Sequence, residues 1–154
     1  MSRSKKVRNL ETWAHSKIRM QESYESRMIR QDRKKIEKGG IYRVNLGFNL
    51  GHEIDKRRPA LIISNQEYND SPNGMATVIP LTKDVVVMED GIPKYSFHYI
   101  LRKEEFSFLE FDSTLEIDQI RSVSRRRIDA SEIIGKISDE TLQNIQTKIL
   151  NFLS

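Results

Sequence analysis

The chain has 154 residues, no cysteine, three histidines and a net charge of +4. That length suits one domain with at most an appendage, and the missing cysteine excludes disulfides and thiolate metal sites. His15, His52 and His98 lack ligand spacing, no apolar run nears the ~20 residues of a membrane span, and the basic N-terminus lacks the apolar core of a secretory signal. The expectation is a cytoplasmic protein without a cofactor. Magnesium held by carboxylates alone is the one metal chemistry left open.

The charge is unevenly spread. Residues 1 to 38 carry 12 Lys and Arg against 5 Asp and Glu, a net of +7, while residues 39 to 154 net −3. The division predicts a basic helical extension over 1–38 and a second unit over 39–154, separated by the turn-forming pair Gly39-Gly40. No Gly or Pro interrupts the extension. Leu10, Trp13, Ala14, Lys17, Gln21, Tyr24 and Met28 recur at spacings of three and four, a narrow stripe on one helix, with Ile18, Met20 and Ile36 off it. The first nine residues read as disordered. Such an arm either packs on the rest of the protein or on a second subunit through Trp13 and Tyr24, or lies along RNA. Packing is preferred, because a lone basic helix is marginal without a docking surface.

From Ile41 the pattern changes to mostly β. Tyr42, Val44 and Leu46 alternate with polar residues as a half-buried strand. A polar loop with Gly47, Gly51 and Glu53 ends on Lys56-Arg57-Arg58, then Pro59 and a buried strand over 60–63. Asn69 to Gly74 is a turn cluster. Met75 to Thr82 reads as a third strand, with Pro80 suggesting an edge or a bulge. Tyr95, Phe97, Tyr99 and Leu101 mark a fourth, and Thr114 to Val123 a fifth. The closing helix has Ser138 as N-cap, acids at Asp139 and Glu140, and an apolar face of Leu142, Ile145, Ile149 and Phe152. The expected class is α+β, mainly β, a small barrel or twisted sheet with terminal helices. The apolar residues Phe106, Phe108, Leu109 and Phe111 suggest a two-fold homodimer.

One segment carries the chemistry. An arginine before proline is biased toward an extended backbone, so Arg58 is held where a guanidinium can grip a phosphate with two parallel hydrogen bonds. Strand, Gly-x-Glu loop, Arg-Pro, apolar strand, then V-I-P-L-T, then D-S-x5-Q-I-R and a final helix resemble, in order over roughly 39 to 153, the PemK/MazF toxins of bacterial toxin–antitoxin systems. The basic arm lies outside that resemblance. The resemblance implies a small Src-homology-3-like barrel, a homodimer, and metal-independent cleavage of single-stranded RNA at a short sequence. It also implies a cognate antitoxin that threads an acidic segment across the RNA groove. It places the catalytic arginine on Arg58, the catalytic threonine on Thr82, the loop glutamate on Glu53 and the Q-I-R motif on Gln119, Ile120 and Arg121. His52 stands where the family often has a small residue. His52, Lys56, Arg57, Lys83 and Gln119 are the expected RNA contacts.

In such a reaction the 2′-hydroxyl attacks its own phosphate, leaving a 2′,3′-cyclic phosphate and a 5′-hydroxyl. Arg58 suits the stabilisation of a negative phosphorane and suits the role of base badly, since a guanidinium does not give up its proton in proteins. Thr82 can donate to a non-bridging oxygen. Glu53 or His52 accepts the proton if the loop brings either within reach. The competing reading is a non-catalytic nucleic-acid-binding or topoisomerase-poisoning module on the same barrel. Arg125-Arg126-Arg127 reads as a solvated turn or a phosphate contact.

Overall fold

The computed structural model describes residues 2–26 and 35–154. After helix α1 (Lys5–Glu25) the chain builds β1 (Gly40–Asn45), β2 (Arg57–Ile62), the short α2 (Gln66–Asn69), β3 (Met75–Thr82) and β4 (His98–Leu101). It continues through β5 (Ser113–Glu116), β6 (Arg121–Ser124), β7 (Ile128–Asp129), β8 (Gly135–Lys136) and α3 (Asp139–Leu153). All strand pairs are antiparallel, in the order β4-β5-β3-β2-β1-β7, with β6 added to β3 and β8 to β1. The fold is the expected mainly β one with terminal helices. Among the described residues β4 and β7 do not pair, so the sheet is not closed into a barrel.

The sheet is buried on both faces, which explains the unbroken apolar runs at 60–63 and 78–81. Tyr42, Val44, Ala60, Ile62 and Val78 share one core with Ile36, Leu46 and Ile54. Ile41, Leu61, Ile79, Leu81 and Leu115 face the other way and meet Ile137 and Ile145. Helix α3 seals this second core. Ser138 Oγ accepts the Thr141 N–H at 3.3 Å, Asp139 and Glu140 occupy the first turn, and Ile145 is fully buried. Leu142 and Ile149 pack beside it, while Phe152 stays exposed. Of the four apolar residues that suggested a dimer, Phe106 is buried and Phe108 and Leu109 pack on this core; Phe111 remains exposed.

Three strand expectations change. The fourth strand is shorter, because Tyr95 and Phe97 lie in the turn before it. The fifth is two strands: a single 3-10 turn at Ile117–Gln119 moves the chain from the C-terminal half of β3, paired by β5, to its N-terminal half, paired by β6. Pro80 is neither on an edge nor in a bulge. It falls between the β6 register, which ends at Val78, and the β5 register, which starts at Leu81, so its missing N–H breaks no rung there.

The basic arm is ordered earlier than its composition suggests. Ser4 caps α1 by accepting the Val7 N–H at 3.2 Å, so the helix starts at Lys5. It docks, and it docks on a different side from the expected stripe. Trp13 is buried and Leu10 half-buried, but Ala14, Lys17, Gln21 and Tyr24 are exposed; Met28 lies outside the described residues. Met20 instead faces the sheet, in a cleft of about 170 Å³ with Arg43, Arg57, Arg126 and Arg127. One large ring sets the rotation: Trp13 lies on Gly47, with the Arg127 guanidinium 5.4 Å from the ring centre. A parallel pair joins Tyr24 to Arg126 at 5.4 Å, and Lys6 bonds the Asp55 carboxylate. Residues 35 to 37 are not helical, and Ile36 is a core residue of the sheet.

Candidate active site

Strand register brings the chemistry together. Ala60 pairs with Pro80 on one face of the sheet. Two residues further along each strand, Arg58 and Thr82 emerge on that same face. Thr82 pairs with Thr114 on β5, and Glu116, two residues on, points to the same side. Sequence positions 58, 82, 114 and 116 therefore share one surface beside the first core.

Arg58 is braced from below. Its Nε donates to the Asp55 carbonyl at 2.7 Å, while its two terminal nitrogens make no bond among the described residues. The fork is open for a ligand. Thr82 is 7% exposed, and its hydroxyl has no hydrogen-bond partner among the described residues. An orphaned buried hydroxyl costs roughly 1–3 kcal/mol, and such groups are retained where they have a task. Thr114, fully buried, donates to the Asp84 carbonyl at 2.8 Å and so fixes the turn after β3. Lys83 projects from that turn, its ammonium 4.6 Å from the Phe111 ring centre.

The loop between β1 and β2 is tied internally. Asp55 accepts the Asn49 N–H at 2.6 Å and the Lys6 ammonium on its carboxylate. Asn49 Nδ2 donates to the Leu46 and Ile54 carbonyls. Lys56 takes a left-handed φ of 76°, held by bonds from Leu46 N to its carbonyl and from its own N–H to Gly47. A non-glycine residue there is strained by about 1–2 kcal/mol, a cost this loop has to over-determine. Gln119 reaches the same loop: its Oε1 accepts the Ile54 N–H at 3.1 Å and its Nε2 donates to the His52 carbonyl at 3.3 Å. Its polar atoms therefore tether the loop. His52 and Glu53 are exposed at the loop tip, and no hydrogen bond or ion pair joins the Glu53 carboxylate to Arg58 or Thr82. Arg57, one residue from Arg58, projects to the opposite face and lines the α1 cleft.

The sequence and the fold have matches among known proteins. The family described as PemK-like, MazF-like toxin of type II toxin-antitoxin system matches residues 37–153. The chain belongs to this family. The toxin is 27% identical over 114 residues to Endoribonuclease MazF9 of Mycobacterium tuberculosis, which covers 71% of this chain and 89% of that one. In fold it is similar to MazF of Deinococcus radiodurans (TM-score 0.59, 24% identity, 77% of this chain and 96% of that one). It is also similar to an endoribonuclease in complex with its cognate antitoxin from Mycobacterial species (TM-score 0.55, 17% identity, 77% and 94%). Helix α1 lies outside the matched residues of the toxin family.

Two residues beside the Arg58–Thr82 face are invisible to a motif search. Glu116 and Thr114 are separated by one residue in S-T-L-E, and only the β3–β5 register shows that they flank Thr82. Burial pushes the Glu116 carboxyl above the usual carboxylate range; Asp118 and Asp84 add to this and Arg58 opposes it. His98, in register with Glu116, packs edge-on against Tyr95 and Phe97 at 5.2 and 4.9 Å and leaves Nδ1 buried without a partner. Burial lowers its pKa below 6.5; Asp118 works against that and Lys148 adds to it. The unfolded chain therefore binds a proton that the folded one resists. The stability from neutral His98 is present above about pH 6.5 and is lost as pH falls through the folded value. His98→Gln is expected to flatten the fall in urea midpoint between about pH 7 and pH 5. An unchanged slope assigns it to other groups.

Proposed function

We propose that this toxin is a sequence-selective endoribonuclease that cleaves single-stranded RNA without a metal, to 2′,3′-cyclic phosphate and 5′-hydroxyl ends. The observation that carries this reading is the buried, unpartnered Thr82 hydroxyl on the same face as the open Arg58 fork. A phosphodiester supplies what both lack: oxygens for two guanidinium N–H groups and an acceptor for one hydroxyl. Arg58 stabilises the phosphorane charge and Thr82 donates to a non-bridging oxygen. Lys56 and His52 are exposed in the loop before Arg58, Lys83 is exposed one residue after Thr82, and Arg57 extends the cationic surface toward α1. These charges steer RNA without specifying its sequence.

The remaining expectations belong to the same reading. The partner is a cognate antitoxin with an acidic segment that competes with RNA at Arg58. The working assembly is a two-fold homodimer, for which exposed Phe111, Leu150 and Leu153 offer apolar surface. The site of action is the cytoplasm; no helix among the described residues is long and apolar enough to cross a membrane.

The test is incubation with single-stranded RNA in excess EDTA, followed by mapping of product ends. The expected result is cleavage at a short sequence, with cyclic phosphate and 5′-hydroxyl ends. Strict dependence on magnesium sinks metal-independent transesterification. Binding without cleavage favours the non-catalytic module.

A further inference from the structure

We infer that the Glu116 carboxylate is the general base that takes the proton from the attacking 2′-hydroxyl. The assignment rests on the transesterification proposed above and supplies the proton acceptor that Arg58 and Thr82 cannot be. A guanidinium has no lone pair to offer a proton, and a threonine hydroxyl is no base at neutral pH. Glu53, the carboxylate expected from the sequence, sits exposed on the loop tip, with no hydrogen bond or ion pair to either residue.

The geometry supports Glu116 on two counts. It lies on the face shared by Arg58, Thr82 and Thr114, in the strand next to Thr82. Diagonal neighbours on adjacent antiparallel strands sit about 7–8 Å apart. A phosphate held by Thr82 and Arg58, with its adjacent ribose hydroxyl, spans that gap. In addition, no hydrogen bond or ion pair engages the Glu116 side chain among the described residues, so its oxygens are unspent although it is half-buried.

The charged groups around it come from every neighbouring element. Arg58 projects from β2, Asp84 follows β3, Asp118 lies in the 3-10 turn after β5, and His98 is its register partner on β4. The carboxyl is poised upward by its burial and by Asp118, with Arg58 holding it back. A base whose pKa approaches the working pH accepts a proton more effectively than an ordinary surface carboxylate. In the reaction the proton moves from the 2′-oxygen to Glu116 while the 2′-oxygen–phosphorus bond forms. The phosphorus–5′-oxygen bond breaks, and the 5′-oxygen leaves with a proton from water. Glu116 then returns its proton to solvent, so the sum is a transesterification with no net proton.

The experiment is a pH–rate profile on a short RNA, with product ends mapped in parallel. The wild-type rate is expected to rise with pH along an acid limb whose midpoint lies above the ~4.3 of an ordinary glutamate. Glu116→Gln is expected to lower kcat by about 10²–10⁴-fold and abolish the limb. Glu116→Asp should keep the limb at reduced rate. Asp118→Asn, a change at an exposed position, removes a repelling charge and should move the limb to lower pH. Cyclic phosphate ends with an unaltered limb in Glu116→Gln overturn the role of Glu116 and leave the transesterification standing. A limb that Asp118→Asn leaves in place also overturns it, even if Glu116→Gln fails to fold. Products with 3′-hydroxyl ends overturn both.

Discussion

Arg58→Ala is expected to cut RNA about 10²–10³-fold more slowly than the wild type, the usual cost of removing one donor to a developing oxyanion. The melting temperature should barely move, because among the described residues the Arg58 side chain makes a single hydrogen bond, to the Asp55 carbonyl. Arg58→Lys should recover little, since an ammonium cannot make the two parallel bonds of the fork. Thr82→Val sharpens the test by separating activity from stability. The wild-type hydroxyl is buried without a partner. Replacing it with a methyl of the same shape removes a desolvation penalty of roughly 1–3 kcal/mol, so the variant should melt at the same temperature or higher. It should also cleave more slowly. A variant that is both stabler and slower shows that the orphan hydroxyl is kept for chemistry. Full activity in Arg58→Ala, or a Thr82→Val that is destabilised and fully active, removes this pair from the site.

The sequence and the structure agree where a single strand or helix decides the matter. The alternation at Tyr42 and Val44 was readable because period-two burial is local, and so were Ser138 and the apolar face of α3. The order of motifs also pointed to Arg58 and Thr82 as a proposed pair, and the register places both on one face. What sequence reasoning missed depends on which strands lie side by side. The break in the fifth strand exists because β3 is served by two partners in turn, and nothing in Thr114 to Val123 signals that. Glu116 becomes a candidate only through the register with Thr82. Arg57 and Arg58 look equivalent in K-R-R-P, yet alternation sends them to opposite faces. The stripe on α1 failed for a different reason. Its apolar side chains are too few to define a face, so one contact, Trp13 on Gly47, set the rotation and turned Met20 inward.

That contact yields the second large effect. Gly47 has a φ of +71°, and a Cβ added there would stand 2.1 Å from Trp13 Cε2 and 2.3 Å from Cζ2. Gly51, four residues on in the same loop, has a φ of +54° and nothing within 4 Å of its added Cβ. Both Gly→Ala changes carry the left-handed strain of about 1–2 kcal/mol. Only Gly47→Ala also expels the indole. Trp13 is the chain's single tryptophan, so its fluorescence reports the docking of α1 alone. Gly47→Ala is expected to shift the emission toward that of a solvent-exposed indole and to lower the helical signal, because a 21-residue basic helix without a docking surface is marginal. The sheet signal and the cooperative melt should persist, since Trp13 belongs to neither core cluster. Gly51→Ala should keep the wild-type emission at a slightly lower melting temperature. Freed from Gly47, the helix also loses the Arg127 and Arg126 stacks and the Lys6–Asp55 bond, which tie it to the turn at 125–127 and to the loop between β1 and β2. Identical emission from the two variants would mean that α1 is held elsewhere and that Trp13 only rests on the sheet.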